Sequence, residues 1–137
     1  MTQRRYKIMA ADDDPALLAM LADTLATGGY DVATAGDGQQ AIDVALQERP
    51  DLIILDVSMP GLDGIEVVKR LRDDARTRET IIVLLTAVRA ESAVAESFES
   101  GADDYLVKPF TVSHLLARVQ TWLLRREDHG PRGQLPA

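Results

Sequence analysis

The sequence predicts a doubly wound α/β domain: a five-stranded parallel sheet in the order 2-1-3-4-5, with helices on both faces. Three observations carry this. Short apolar runs alternate with helix-period segments five times along the chain. The runs IMAA, LIIL, IIVLL and YLV are continuously apolar, the pattern of strands covered on both faces. Each run stops at polar residues, namely Asp12-Asp13, Asp56, Thr86 and Lys108. Strand–helix units joined by right-handed crossovers make parallel strands. Their carboxyl ends therefore share one edge, where such sheets bind ligands.

Strand one covers about Tyr6–Ala11. In the helix that follows, Asp14 suits the N-cap and Pro15 the first helical position, where a missing N–H costs nothing. Leu17, Leu18, Leu21 and Leu25 recur at helical spacing, and Gly28-Gly29 ends the run. Strand two is about Asp31–Ala35. The second helix runs from about Asp37 to Glu48 and buries Ala41, Ile42, Ala45 and Leu46. Strand three is Leu52–Leu55. The loop MPGLDG, residues 59–64, leads into a third helix with Ile65, Val68 and Leu71 inward. Strand four is about Thr80–Leu85. A helix over about Ala90–Ser100 follows, with Gly101 as its C-terminal glycine. Strand five is Tyr105–Val107. The Lys108-Pro109 bond is a candidate cis peptide, because cis bonds occur mainly before proline. The last helix starts near Thr111, with Leu115, Leu116, Val119, Trp122 and Leu123 on its buried face. From Arg125 on the chain is charged and holds Gly and Pro. Residues 1–126 thus read as the domain, and 127–137 as a tail or the start of a linker.

The bulk numbers agree with one domain. The chain has 137 residues, 46% hydrophobic and 27% charged, so it is long enough for a real core and not of disordered composition. No apolar run approaches a bilayer span, and the N-terminal segment lacks the apolar stretch of a signal peptide. There is no cysteine, hence no disulfide framework or thiol chemistry. A cytoplasmic protein without membrane contact is the expectation. A net charge of −7 argues against this chain gripping nucleic acid by itself.

The residues at the strand ends suit a metal ion and a phosphoryl group. Asp56 follows a strongly apolar strand and precedes a loop with two glycines, which makes it the candidate nucleophile. A carboxylate can attack phosphorus and form an aspartyl-phosphate. Mg2+ prefers oxygen ligands, and Asp12, Asp13, Asp56 and the backbone carbonyl of Ser58 can supply or hold them. Three converging carboxylates repel one another, and a divalent cation removes that cost. Phosphoryl transfer needs positioning and charge neutralisation more than covalent help. Lys108 offers a compact positive charge and Thr86 a hydroxyl donor. The chain holds twelve arginines and three lysines, so a lysine at this edge points to a need for an ammonium.

With these residues in place, the chain resembles a response-regulator receiver domain of two-component signalling, a flavodoxin-like fold. The resemblance runs from about Lys7 to Arg126 through KIMAADDDP, DLIILDVSMPGLDG, IIVLLTA and GADDYLVKPF. It implies that Asp56 is the phosphoacceptor, Asp12 and Asp13 the acidic metal pair, Thr86 the switch hydroxyl, Lys108 the phosphate-binding lysine and Tyr105 the switch aromatic. It implies a sensor histidine kinase or phosphotransfer protein as donor, and an output domain or downstream protein as recipient. The recipient would be controlled through the surface of the 90–100 helix, the fifth strand and the last helix. On this reading the chain is a signalling switch rather than an enzyme, although it catalyses its own phosphoryl transfer and dephosphorylation.

Some residues depart from the pattern. The segment LLARVQTWLLRR resembles receivers that precede a winged-helix DNA-binding domain, for which a phosphorylation-linked dimer is implied. That dimer pairs a basic residue of the 90–100 helix with an acidic one of the last helix, where this chain has Glu96 and His114. Asp104 and Arg118, another pair of that interface, are present. Two other classes remain open at this point. A phosphatase of the haloacid-dehalogenase type needs a second Asp where Ser58 stands. A receiver-like module that never takes phosphate usually lacks one of the five pocket residues.

Overall fold

The computed structural model describes residues 5–87 and 101–129, with the backbone alone for 126–129. The helix expected over 90–100, with Glu96, lies outside the described residues. The five strands are β1 (Lys7–Ala11), β2 (Asp31–Ala35), β3 (Leu52–Asp56), β4 (Ile81–Thr86) and β5 (Asp104–Val107). They form one sheet in the order β2-β1-β3-β4-β5, and every pairing is parallel. The described helices are α1 (Pro15–Thr27), α2 (Gly38–Glu48), α3 (Gly64–Asp73) and α4 (Val112–His129), the last helix of the sequence.

Side chains alternate across the sheet, so each strand feeds two cores. Met9, Ile53, Leu55, Ile82 and Leu84 join Ala41, Ile42 and Ala45 of α2 and Ile65, Val67, Val68 and Leu71 of α3 on one face. Ile8, Leu52, Ile54, Ile81, Val83, Leu85 and Leu106 join Leu21 and Leu25 of α1 and Leu115, Val119 and Leu123 of α4 on the other. This explains why the strands read as unbroken apolar runs: both faces are covered.

Helix starts follow capping chemistry. Asp14 accepts hydrogen bonds from the N–H groups of Ala16 and Leu17, with Pro15 behind it. Asp37 caps α2 through Gln40 N–H, Asp63 caps α3 through Glu66 N–H, and the Thr111 hydroxyl accepts from His114 N–H. The caps turn the chain from the functional edge of the sheet into each helix.

Borders shift by a residue where side-chain polarity was read as the end of a strand. Asp56 and Thr86 both belong to their strands, because the backbone ladder continues regardless of the side chain: Asp56 pairs with Leu85, and Thr86 with Val107. The helical backbone of α4 runs to His129, since no glycine or proline interrupts the sequence before Gly130. The Lys108-Pro109 bond is cis.

Candidate functional site

The carboxyl ends of β1, β3, β4 and β5 meet at one edge. Asp12 directly follows β1 and is almost fully buried. Asp56 closes β3 and is 5% exposed, and Thr86 closes β4 and is also buried. Asp13 is exposed beside them. One carboxylate oxygen from each of Asp12, Asp13 and Asp56 lies within 4.8 Å of the others. Lys108 follows β5 and reaches back, its Nζ standing 3.2 Å from Asp12 Oδ2 and 3.4 Å from Asp56 Oδ1. Its own N–H donates to the Thr86 carbonyl at 2.7 Å, which ties the lysine strand to the threonine strand.

Local backbone holds the carboxylates. Asp12 Oδ1 accepts from Asp14 N–H at 2.9 Å, and Asp56 Oδ1 accepts from Ser58 N–H at 3.2 Å. Ser58 was expected to serve through its carbonyl; the hydrogen bond it makes to Asp56 comes from its amide. Tyr105 lies within β5, opposite Leu84, half-buried against the α2–α3 core. At ~3.3 Å per residue it sits roughly 10 Å along the strand from Lys108.

The electrostatics follow from three carboxylates facing one ammonium. Burial pushes the Asp56 carboxyl above its ordinary range; the Ser58 amide pulls it back, the Asp12 charge pushes it further up, and Lys108 opposes. Burial works to lower the Lys108 ammonium, but the Asp56 and Asp12 charges outweigh it, and the net shift is upward. The two shifts agree physically: the excess of negative charge adds to burial in disfavouring ionised Asp56, and it favours the Lys108 ammonium. That excess, and an all-oxygen donor set, fit a hard divalent cation such as Mg2+.

Two glycines matter here that sequence reasoning did not assign. A Cβ on Gly64 would stand 2.5 Å from the Asp56 carbonyl oxygen and 2.8 Å from Val57 Cα. One on Gly38 would stand 2.1 Å from the Leu62 carbonyl oxygen. Both let a helix start press against the loop after Asp56. Gly64 was visible as the second glycine of MPGLDG; its contact with β3 was not.

The model of the response regulator receiver domain matches residues 8–120, which takes in all five strands but for Lys7, and the whole acidic edge. The chain belongs to this family. It is 45% identical over 126 residues to the DNA-binding dual master transcriptional regulator RpaA of Synechocystis, covering 92% of this chain and 52% of that one. The receiver thus spans about half the length of the curated relatives it matches. A putative response regulator from Chloroflexus aurantiacus superposes with TM-score 0.84 at 38% identity, over 89% of this receiver and 100% of that chain. The receiver domain of sensor histidine kinase PA1611 from Pseudomonas aeruginosa, with a magnesium ion coordinated in its active-site cleft, superposes with TM-score 0.81 at 30% identity, over 88% of this receiver and 98% of that chain. The receiver acts in two-component signal transduction, and its sheet order is the expected one. Among the described residues no helix is long and apolar enough to cross a membrane.

Proposed function

We propose that this receiver takes a phosphoryl group from the phosphohistidine of a histidine kinase, or of a phosphotransfer protein, onto Asp56. A carboxylate oxygen of Asp56 forms the new P–O bond as the P–N bond to imidazole breaks, and the imidazole leaves with that electron pair. The carrying observation is the Asp56 carboxylate at the end of β3, with Lys108 Nζ 3.4 Å away and oxygens of Asp12 and Asp13 close by. Asp12, Asp13, Asp56 and the Ser58 carbonyl are the residues that would hold Mg2+. Bound there, the ion neutralises phosphoryl oxygens. Lys108 holds another oxygen through its ammonium, and Thr86 donates its hydroxyl to the phosphorylated state.

The new negative charge draws Thr86 inward, and Tyr105 turns into the space left behind. This biases an existing two-state equilibrium and alters the surface of the 90–100 segment, β5 and α4. That surface controls an output domain or a downstream protein; the DNA-binding relatives suggest a transcriptional output. Hydrolysis of the acyl phosphate resets the switch. Residues 1–126 are the switch unit and 127–137 a tail or the start of a linker, and the protein works in the cytoplasm.

Intact mass after incubation with acetyl phosphate and magnesium, beside an Asp56→Asn variant, tests this. One added phosphoryl group is expected, absent in the variant and absent without magnesium. The reading fails if the wild-type chain binds magnesium yet neither gains mass nor binds beryllofluoride.

A further inference from the structure

The junction between β2 and α2 touches the acidic edge from two sides. At the end of β2 the Ala35 carbonyl accepts from Asp12 N–H at 3.1 Å, which fixes the backbone of one metal-facing aspartate. Gly38 begins α2 and is buried against Leu62, in the loop that carries Ser58 away from Asp56. A Cβ at Gly38 would stand 2.7 Å from Leu62 Cβ and run into the Leu62 carbonyl, so the two backbones are in direct contact here. The loop is tied at its start by Val57 N–H to the Leu85 carbonyl, at 3.0 Å, and at its end by Gly64 N–H to the Val57 carbonyl, at 2.9 Å. Between those ties Met59 and Leu62 pack on the core, and the Leu62 backbone rests on Gly38. The first turn of α2 is itself locked. Asp37 accepts from Gln40 N–H at 2.8 Å, and the side-chain carbonyl of Gln40 accepts in return from Gly36 N–H. This variant of the capping box fixes the angle at which the chain leaves β2.

The short stretch from Ala35 to Gln40 therefore spans the gap between Asp12 and the Ser58 loop. A bound cation reads that gap by its size. Mg2+ demands near-ideal octahedral oxygen ligands at about 2.1 Å, whereas Ca2+ accepts about six to eight at roughly 2.3–2.6 Å in a flexible shell. We propose that the β2–α2 junction, through Gly38 and Gln40, is the spacer that makes the acidic edge select Mg2+ over Ca2+. Neither residue is a ligand. Both are positioning residues, which act on the metal only through Asp12 and the loop after Asp56. This rests on the metal set of Asp12, Asp13, Asp56 and the Ser58 carbonyl given above.

The experiment titrates Mg2+ and Ca2+ separately into the 15N-labelled full chain and into Gly38→Ala, Gln40→Met and Asp12→Asn. The amide resonances of Asp13 and Ser58 give each Kd, and thermal melts without metal report the fold. The wild-type chain is expected to bind Mg2+ more tightly than Ca2+. Gly38→Ala pushes on the loop and should weaken Mg2+ binding about tenfold, the lower end of the loss when the support behind a ligand is removed. Ca2+, which tolerates a wider site, should lose less, so the preference for Mg2+ falls. Gln40→Met keeps the side-chain length but not the acceptor, and should move the preference the same way by a smaller factor. Should Gly38→Ala not fold, Gln40→Met carries the test, because that side chain is exposed. A preference unchanged in the folded variants, with only the melting temperature lowered, overturns the spacer. Equal loss of both ions also overturns it, since a loosened fold penalises both alike. A wild-type chain without preference for Mg2+ does the same. If Asp12→Asn binds Mg2+ as tightly as wild type, the metal set itself is wrong and the spacer falls with it.

Discussion

The Lys108 ammonium stands 3.4 Å from Asp56 Oδ1, although 52 positions separate the two in sequence. The same ammonium is hydrogen-bonded to Asp12, so one cation holds two carboxylates that would otherwise repel. Replacing it with methionine leaves those carboxylates facing each other in a largely buried site. Lys108→Met is expected to destabilise the metal-free protein by about 1–3 kcal/mol. It should also slow phosphoryl uptake from acetyl phosphate on the order of 10²-fold, the usual loss for one charge-stabilising donor. Denaturant melts and a mass-spectrometric time course check the two parts separately.

Removing a carboxylate should have the opposite effect on the metal-free fold. Asp12 is buried and faces Asp56. Asp12→Asn is expected to hold or raise thermal stability without metal and to lose most of the stabilisation that magnesium confers. At a hundredfold excess over its Kd, bound magnesium is expected to stabilise the wild-type chain by about 2.7 kcal/mol. Paired thermal melts with and without magnesium measure this. If magnesium stabilises the Asp12→Asn variant as much as wild type, Asp12 leaves the metal set.

Acid should weaken the site before it weakens an ordinary carboxylate. Burial and the Asp12 charge raise the Asp56 carboxyl, so the folded chain binds that proton more tightly than the unfolded chain does. The sign is the reverse of a salt-bridged aspartate. Ionised Asp56 penalises the metal-free fold at pH values above its folded pKa, and the penalty lifts as pH falls through that value. Protons and magnesium compete for the same carboxylate, so magnesium affinity is expected to fall within that raised range, above the usual ~3.9. Magnesium titrations at a series of pH values, beside Asp56→Asn, check it. An affinity profile that does not differ between the two sinks the assignment.

Much of this was legible before any coordinates. Strands covered on both faces produce unbroken apolar runs, which is why LIIL and IIVLL stood out and why their polar ends marked the functional edge. The caps were equally local: Asp14 before Pro15 needs no tertiary context. What stayed hidden depends on the path of the backbone. Gly64 is required because α3 begins against the carbonyl of Asp56, a proximity that spacing does not encode. Trp122 reads as a core residue by its period, yet its indole N–H is committed to Asp104, eighteen positions away on another element. A sheet edge is predictable from polar strand ends; a bond between a strand and a later helix is not.

The two loop glycines after Asp56 should respond differently to alanine. At Gly64 the added methyl meets backbone atoms of Asp56 and Val57, which can yield only by moving β3 or α3. Gly64→Ala is expected to cost about 1–3 kcal/mol through overpacking and to lower phosphoryl uptake. At Gly61 φ is +77° but no atom lies within 4 Å of the added carbon, so only the left-handed conformation is penalised. Gly61→Ala should cost about 1–2 kcal/mol and leave uptake nearer to wild type. Denaturant midpoints and adduct rates for the pair decide it.

Arg72 anchors the opposite edge of the sheet. Its guanidinium donates to the carbonyls of Gly101, Arg78 and Thr80, and its NH2 group pairs with Asp103 at 2.9 Å. Asp103 in turn accepts from Ile82 N–H at the start of β4. The Arg72 side chain is 14% exposed and that of Asp103 10%, so truncation removes a shielded ion pair together with the bonds to the carbonyls. Arg72→Met is expected to destabilise by about 3 kcal/mol. Arg72→Lys should recover little, because one ammonium cannot reach three carbonyls and a carboxylate in the plane of a fork. Asp103→Asn in the Arg72→Met background separates the two contributions: with the carboxylate charge removed, part of the loss should return, and the part that does not return measures the bonds to the three carbonyls. A double variant no more stable than Arg72→Met alone would show that the carbonyl bonds, rather than the ion pair, hold this edge together.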